Sequence, residues 1–533
     1  MSPSISVHDL CYVLPDNTPL LKNINFNLRN EKVGVVGKNG IGKSTLLKLL
    51  AKEFEAKSGC IQIIGKVSYL PQKCIDYSEY KLSQILKIDQ KIEALNRAEK
   101  GCASETDFVV IGDDWNFQYE IEIILNELGI AHLHLNRTGK SLSGGEMIRL
   151  LLAKVMLEKS NIILLDEPTN NLDEESKSQF FNYLDAKNSL FVIVSHDRLL
   201  LNKMDSIIEI SNLGLKYYSG NYDFYVEQRS IEDNAVAQKV KNADELFKKM
   251  KIQEQELQQN QLKKNSQGKV NSKKEGMSAL EKGYKKEISQ KTTSHLSVLH
   301  EKKTNLALSD LKIKSSQIRD HYKIKVDMEL SKIPSRKKMI ICNDLNYKYS
   351  NSKNKLWKNN LNFEIIGSSR VSIQGKNGAG KSTLIDLILG RKNPLVGDIY
   401  LGSKKIAYLD QWCSLLQENL TIFENLKKFA PDEMSNHEVR VRAGRFLFYG
   451  DDIFKTAESL SGGERLRASL ACIFAMTHAP DILILDEPTN NLDLESIAIL
   501  AQSLNDYFGT LIVISHDPYF LNEIHIKEQI YIE

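Results

Sequence analysis

No uninterrupted apolar run in this chain approaches the ~20 residues that a membrane-spanning helix needs, and the N-terminus lacks the charged-then-apolar pattern of a leader peptide. A transport channel within the chain is therefore not expected. The seven cysteines (Cys11, Cys60, Cys74, Cys102, Cys342, Cys413, Cys472) fall at no C-x-x-C or metal-ligand spacing. That argues for reduced thiols and a cytoplasmic setting rather than a disulfide framework. No proline stands between Pro168 and Pro334. Neither sign of charge dominates, since 71 Lys+Arg meet 68 Asp+Glu. The balance is uneven, however: residues 229–330 hold 22 Lys+Arg against 14 Asp+Glu, so the flanks together are mildly acidic. A length of 533 residues with 42% apolar content leaves room for two domains of about 200 residues each and a segment between them.

What the chain does contain is a repeat. Gly37-Lys38-Asn39-Gly40-Ile41-Gly42-Lys43-Ser44 and Gly375-Lys376-Asn377-Gly378-Ala379-Gly380-Lys381-Ser382 are phosphate-binding loops whose lysines lie 338 residues apart. Each follows a short apolar β-type stretch and leads through Thr45 or Thr383 into an apolar-periodic helix, the order the motif requires. The glycines let backbone N–H groups converge on phosphate oxygens and the helix N-terminus adds positive dipole. Lys43 and Lys381 reach the β- and γ-phosphates, and Ser44 and Ser382 can ligate Mg²⁺. Further pairs follow in the same order: Gln72 and Gln411, Leu142–Glu146 and Leu460–Glu464, Asp166-Glu167 and Asp486-Glu487, His196 and His516. Two equivalent nucleotide-binding domains are the expectation.

The Leu-Ser-Gly-Gly-Glu signature, in two copies, makes the chain similar to the ATP-binding-cassette superfamily. The resemblance implies two cassettes closing head to tail with ATP between them. Lys43 would then face Ser461, Gly462 and Gly463, and Lys381 would face Ser143, Gly144 and Gly145. Asp166 and Asp486, each ending a buried apolar strand, are placed at the metal. Glu167 and Glu487 stand beside the γ-phosphate as base or water-orienting groups. His196 and His516 resemble the family's γ-phosphate switch, and Gln72 and Gln411 its metal- and water-contacting loop. With both glutamates present, both sites are expected to hydrolyse ATP. Tyr349 sits where the family's adenine-stacking aromatic lies. In the first half that register holds Leu14, with Tyr12 two residues earlier as either a stacking residue or a core tyrosine.

The span from 225 to 335 reads as a helical linker between domains 1–224 and 336–533. It is proline-free as far as Ile333, and its apolar residues recur at helical spacing (Val236, Val240, Leu246, Met250, Leu257; Leu299, Leu306, Leu311, Ile318, Tyr322). Two long antiparallel helices with a narrow apolar seam, reversing between Ser266 and Ser294, account for it. The fold expected is thus α/β, two P-loop cassettes joined by a long antiparallel helical linker. Lys263 to Lys291 contains nine lysines and three acids, with Met277, Tyr284 and Ile288 interleaved. Such a stretch suits RNA, or is simply a solvated surface.

Two cassettes without a membrane domain, joined by a basic helical linker, resemble the ABC-F family of translation factors and ribosome-protection proteins. That resemblance implies an ATP-closed monomer in the E site of the 70S ribosome, its linker directed at 23S rRNA, P-site tRNA and the peptidyl-transferase centre. It also implies a role in translation or in protection against ribosome-targeting antibiotics. In this chain Asn171 and Asn491 replace the histidine that many members carry. Gln72 to Ser143 spans 71 residues against 50 from Gln411 to Ser461, so about 21 extra residues are expected near Lys91–Asp114. The alternative is an ATPase subunit energising a separate membrane exporter, which has no use for such a linker.

Overall fold

The computed structural model describes residues 2–72, 77–142, 144–170, 172, 174–274, 302–312, 314–315, 334, 336–350, 354–376, 378–476, 480–490 and 492–532. Two compact units emerge, one from Met1–Tyr222 with Tyr322–Glu533 and the other from Asp223–His321.

The first unit repeats one architecture twice. Each half has a three-stranded antiparallel sheet, ordered Pro19–Arg29, Ser4–Val13, Ser58–Ile64 in one and Leu361–Ile366, Lys338–Asn346, Val396–Leu401 in the other. Beside it lies a mainly parallel sheet. Its order in the first half is Val67–Leu70, Ile162–Asp166, Leu190–Val194, Lys32–Val36, Ser206–Ser211, Gly214–Tyr218. In the second it is Ile406–Leu409, Ile482–Asp486, Thr510–Ile514, Arg370–Gln374, Glu528–Tyr531. Ile162–Leu165 and Leu190–Val194 are buried at every residue, as strands covered on both faces must be. Parallel pairing brings the ends of Lys32–Val36, Ile162–Asp166 and Leu190–Val194 to one edge. Phosphate loop, acidic pair and histidine therefore share one rim, where ligands of open α/β sheets bind.

The extra residues of the first half form helices. Leu82–Ile85, Asp89–Glu99, Glu105–Ile111 and Phe117–Glu127 stand where the second half has Ile422–Phe429 and Asn436–Arg445. Arg97 is bound to Asp107 through both Nε and Nη2, which ties Asp89–Glu99 to Glu105–Ile111. Ser104 and Asp107 form a capping box at the start of Glu105–Ile111.

The second unit contains a 53-residue helix, Tyr222–Lys274, and a shorter helical stretch at 302–312. Thr304 Oγ1 donates to Glu254 Oε2 at 3.0 Å, so the later stretch runs beside the earlier one. Of the expected seam Val236, Val240, Met250 and Leu311 are half-buried, and it differs at two positions. Leu246 and Leu306 are 46% and 66% exposed, whereas Ala243 and Ala307 are buried. Leu299, Ile318 and Tyr322, the reversal beyond Lys274, and residues 275–291 of the lysine-rich stretch lie outside the described residues.

Candidate functional site

Each phosphate loop is a turn that needs glycine. Gly42 has φ 106°, and a Cβ there would lie 2.9 Å from Leu21 Cδ2. Gly380 repeats this with φ 91° and Leu356 Cδ2 at 2.7 Å. Gly40 and Gly378 (φ 80° and 82°) face open space, leaving their backbone free for an anion, and Gly37 and Gly375 open the turns. The helices Lys43–Leu50 and Lys381–Ile388 follow at once. Lys43 Nζ donates to the Gly37 and Lys38 carbonyls at 2.7 and 3.1 Å. Lys381 Nζ does the same with Gly375 and Lys376, at 2.6 and 3.4 Å.

Asp166 and Asp486 end their strands beside these loops. Ser382 Oγ and Tyr408 Oη each donate to Asp486 Oδ2 at 3.3 Å. The Ser44 side chain and the Gln72 backbone favour the ionised form of Asp166, and its Oδ1 is buried without a hydrogen-bond partner. A dry carboxylate oxygen beside a hydroxyl and a glutamine is a donor set suited to Mg²⁺, so the residues present fit that ion. Burial raises both aspartates above the ordinary carboxylate range.

Glu167 and Glu487 adopt left-handed backbone, φ 52° and 46°, which non-glycine residues rarely do. Their amides donate to the Val194 and Ile514 carbonyls, both at 2.9 Å, which locks the turn. Strain of this kind concentrates at functional sites. Oε1 of each lies 3.4 Å from Nε2 of His196 or His516. Burial pushes the Glu487 carboxyl up to about 7 and raises Glu167 in the same direction. Burial and Lys43 drive His196 well below its usual value, so its imidazole is neutral at physiological pH. Lys381 Nζ and His516 Nε2 are 3.2 Å apart.

A cavity of about 540 Å³ joins the two halves and is lined by Asn39, Gly40, Gly42, Lys43, Ser44, Thr45, Gln72, Asp166, Glu167 and His196 together with Gln411, Glu487 and His516. Ser461, Gly462 and Gly463 are not among its lining residues. Ser461 caps Gly462–Ala475 through Glu464, and a Cβ on Gly463 would lie 2.5 Å from Ser496 Oγ. The signature thus packs behind the helix Leu494–Asn505. In the first half, helix Gly144–Leu157 begins at Gly144-Gly145. Ser143 and Asn377, with Asn171 and Asn491, lie outside the described residues.

Tyr349 Oη is 2.5 Å from Thr383 Oγ1, on the helix that follows the second phosphate loop. Its ring is 42% exposed and meets Tyr347 edge-on at 5.1 Å. Tyr12 instead stacks on Phe54 at 5.8 Å, with Lys48 Nζ over the far ring at 5.1 Å.

Contacts across the halves join the first phosphate loop and the segment after His196 to residues of the second half. Asn39 N donates to Asp493 Oδ2 at 2.9 Å, and Lys38 Nζ lies 3.3 Å from Glu495 Oε2. Arg198 is ion-paired with Glu523, and Asn202 Nδ2 donates to Tyr519 Oη at 2.8 Å. Among the described residues no helix is long and apolar enough to cross a membrane.

The family model "ABC transporter" matches residues 21–170 and 358–490. The ATP-binding protein YdiF of Bacillus subtilis is 30% identical over 95% of this chain and 76% of its own length. The ATP-binding protein Uup of Haemophilus influenzae is 30% identical over 96% and 76%, and ABC transporter F family member 5 of Arabidopsis thaliana 28% over 95% and 72%. The archaeal ribosome recycling factor aABCE1, solved with the stalk protein aP1, superposes with a TM-score of 0.55. At 17% identity it covers 97% of this chain and 86% of its own, a likeness of fold.

Proposed function

Since this chain belongs to the ABC-F family of tandem ATP-binding-cassette proteins and hydrolyses ATP with Mg²⁺, we propose that it is a cytoplasmic, monomeric ATPase acting on the ribosome. In this reading cassettes 1–224 and 336–533 close on two ATP molecules. The closed form binds the 70S E site, and the linker 225–335 reaches toward 23S rRNA and P-site tRNA at the peptidyl-transferase centre. Protection against ribosome-targeting antibiotics is the corresponding biological role. Two complete sets of ATP-site motifs in one compact unit, joined through a long lysine-rich helical segment, carry the proposal. The name of aABCE1 as a ribosome recycling factor agrees with it.

At each site the glycine loop and Lys43 or Lys381 would hold the phosphates, and Ser44 with Asp166, or Ser382 with Asp486, would hold Mg²⁺ with Gln72 or Gln411. Bound there, Mg²⁺ would neutralise charge on the phosphate oxygens. Glu167 and Glu487 take the proton of the attacking water or orient it, and His196 and His516 fix them from 3.4 Å. Ser143–Gly145 and Ser461–Gly463 complete the opposite sites on closure, and Tyr349 stacks on adenine.

Pelleting with purified 70S ribosomes in a non-hydrolysable ATP analogue tests the reading. Binding should weaken steeply between 50 and 200 mM salt, about 10³-fold or more if six phosphates are contacted. Deleting residues 263–291 should flatten that slope. Partition to membranes instead would favour the exporter-subunit reading.

A further inference from the structure

The two halves differ just beyond their first strands. Cys11 pairs with Ser58 in the first antiparallel sheet and Asn346 with Val396 in the second. Ser58 and Val396 lie 338 residues apart, as the phosphate-loop lysines do. Tyr12 therefore corresponds to Tyr347, and Leu14 to Tyr349. In the first half the chain turns back at once: Leu14 N donates to Thr18 O and Asn17 N to Leu14 O, both at 2.9 Å. The place of Tyr349 is taken there by a half-buried aliphatic side chain.

The groups packed around these positions are exchanged as well. At the same offset Lys48 corresponds to Asp386 and Phe54 to Lys392. In the first half Tyr12 and Phe54 stack on each other at 5.8 Å, with 5° between their planes, and Lys48 Nζ lies over Phe54. Phe54 thus already carries a ring and an ammonium, and Tyr12 a ring. In the second half Lys392 Nζ is held by Asp386 Oδ2 at 2.8 Å and lies over the rings of Tyr349 and Tyr347 at 5.6 and 5.9 Å. Tyr347 meets Tyr349 edge-on, and the Tyr349 hydroxyl is fixed on Thr383, two residues past the phosphate-loop lysine. Tyr349 is held by three groups and is still 42% exposed. A cation over a phenol ring draws on its π density, and a ring polarised in this way stacks best with a large, electron-rich partner. A purine offers more of both than a pyrimidine.

We propose that the two ATP sites read the base unequally: the second selects purine nucleotides by stacking on Tyr349, with Lys392 holding and polarising that ring, whereas the first takes its nucleotide through the phosphates and discriminates little among bases. Lys392 is a positioning residue, since it acts through Tyr349. The inference rests on the reading of Lys43 and Lys381 as phosphate-loop lysines and of Tyr349 as the base platform.

Equilibrium binding of ATP, GTP and CTP, followed by titration calorimetry on the intact chain, tests it in variants that keep one phosphate loop each. In K43A only the second loop is complete. CTP should bind there about fivefold more weakly than ATP, and GTP within about twofold of ATP, because a stack reads the face of the base and not its edge. In K381A only the first loop is complete, and all three nucleotides should agree within about twofold, as phosphate-led binding requires. Adding K392M to K43A should weaken ATP about two- to fivefold, the strength of a cation on a ring, and narrow the ATP-to-CTP ratio to about twofold. Adding K392R should keep both the affinity and the ratio, which a role confined to folding would not tie to the charge. Equal discrimination in K43A and K381A, or a ratio that K392M leaves unchanged, overturns the proposal. K43A/K381A must bind none of the three nucleotides. Binding there would contradict the phosphate-loop reading and not the assignment of Lys392.

Discussion

The backbone amide of Asn39, inside the first phosphate loop, is held by Asp493 of the second cassette at 2.9 Å. The same carboxylate accepts from Ser496 N through Oδ1 at 2.8 Å and caps Leu494–Asn505. One side chain thus ties an ATP loop to the helix against which Gly463 packs. D493A should lose both the cap, about 1 kcal/mol, and a charge-assisted bond of roughly 1.5–3 kcal/mol. D493N keeps a capping oxygen. ATPase turnover should therefore fall about tenfold in D493A, while D493N keeps the melting temperature and loses part of the activity. Full activity in D493A would show the contact to be idle.

Glu487 gives a pH signature. Its folded carboxyl is raised to about 7 by burial, so the folded state holds a proton that the unfolded state has already lost. The stabilisation this represents is complete below the unfolded value near 4.5 and is lost as pH rises through the folded one. In nucleotide-free protein E487Q should match wild type at pH 4 and be more stable at pH 8, by on the order of 3 kcal/mol. Melting curves at the two pH values decide this, and an equal difference at both would contradict it.

Arg198 is buried while Glu523 is 41% exposed in its side chain. Removing the carboxylate leaves a desolvated guanidinium with a lost partner. E523A should cost roughly 1–2 kcal/mol, moderated by solvent at the glutamate. R198M/E523A should regain part of the loss in urea melts. Additive losses would argue against the pairing.

Tyr349 is exposed beside the second phosphate loop. Y349A should raise KM for ATP about tenfold, within the 1–3 kcal/mol of a base stack, with kcat little changed. Y349F should behave as wild type. A kcat loss without a KM change would assign Tyr349 to the Thr383 contact instead.

Much of the site was legible because its parts are local. A phosphate loop, a buried strand ending in Asp-Glu and a strand ending in His are each contiguous, and parallel pairing of apolar strands brings them to one rim. The Asn39–Asp493 bond spans 454 positions, so it is visible only with the halves together. Tyr12 stays open on sequence because a sheet-edge tyrosine can face a neighbouring ring or a base; in the structure it stacks on Phe54, itself 39% exposed. In the linker, hydrophobicity alone points to Leu246 and Leu306, whereas the buried positions are Ala243 and Ala307.

Retention of E167Q/E487Q on 70S ribosomes tests the central claim most directly, because the variant should bind ATP without the cleavage that reopens the cassettes. The account predicts ATP-dependent co-sedimentation that ADP does not support and that is lost on deleting residues 263–291. Equal sedimentation with ATP, ADP or no nucleotide, or none at all while the protein partitions to membranes, would contradict it.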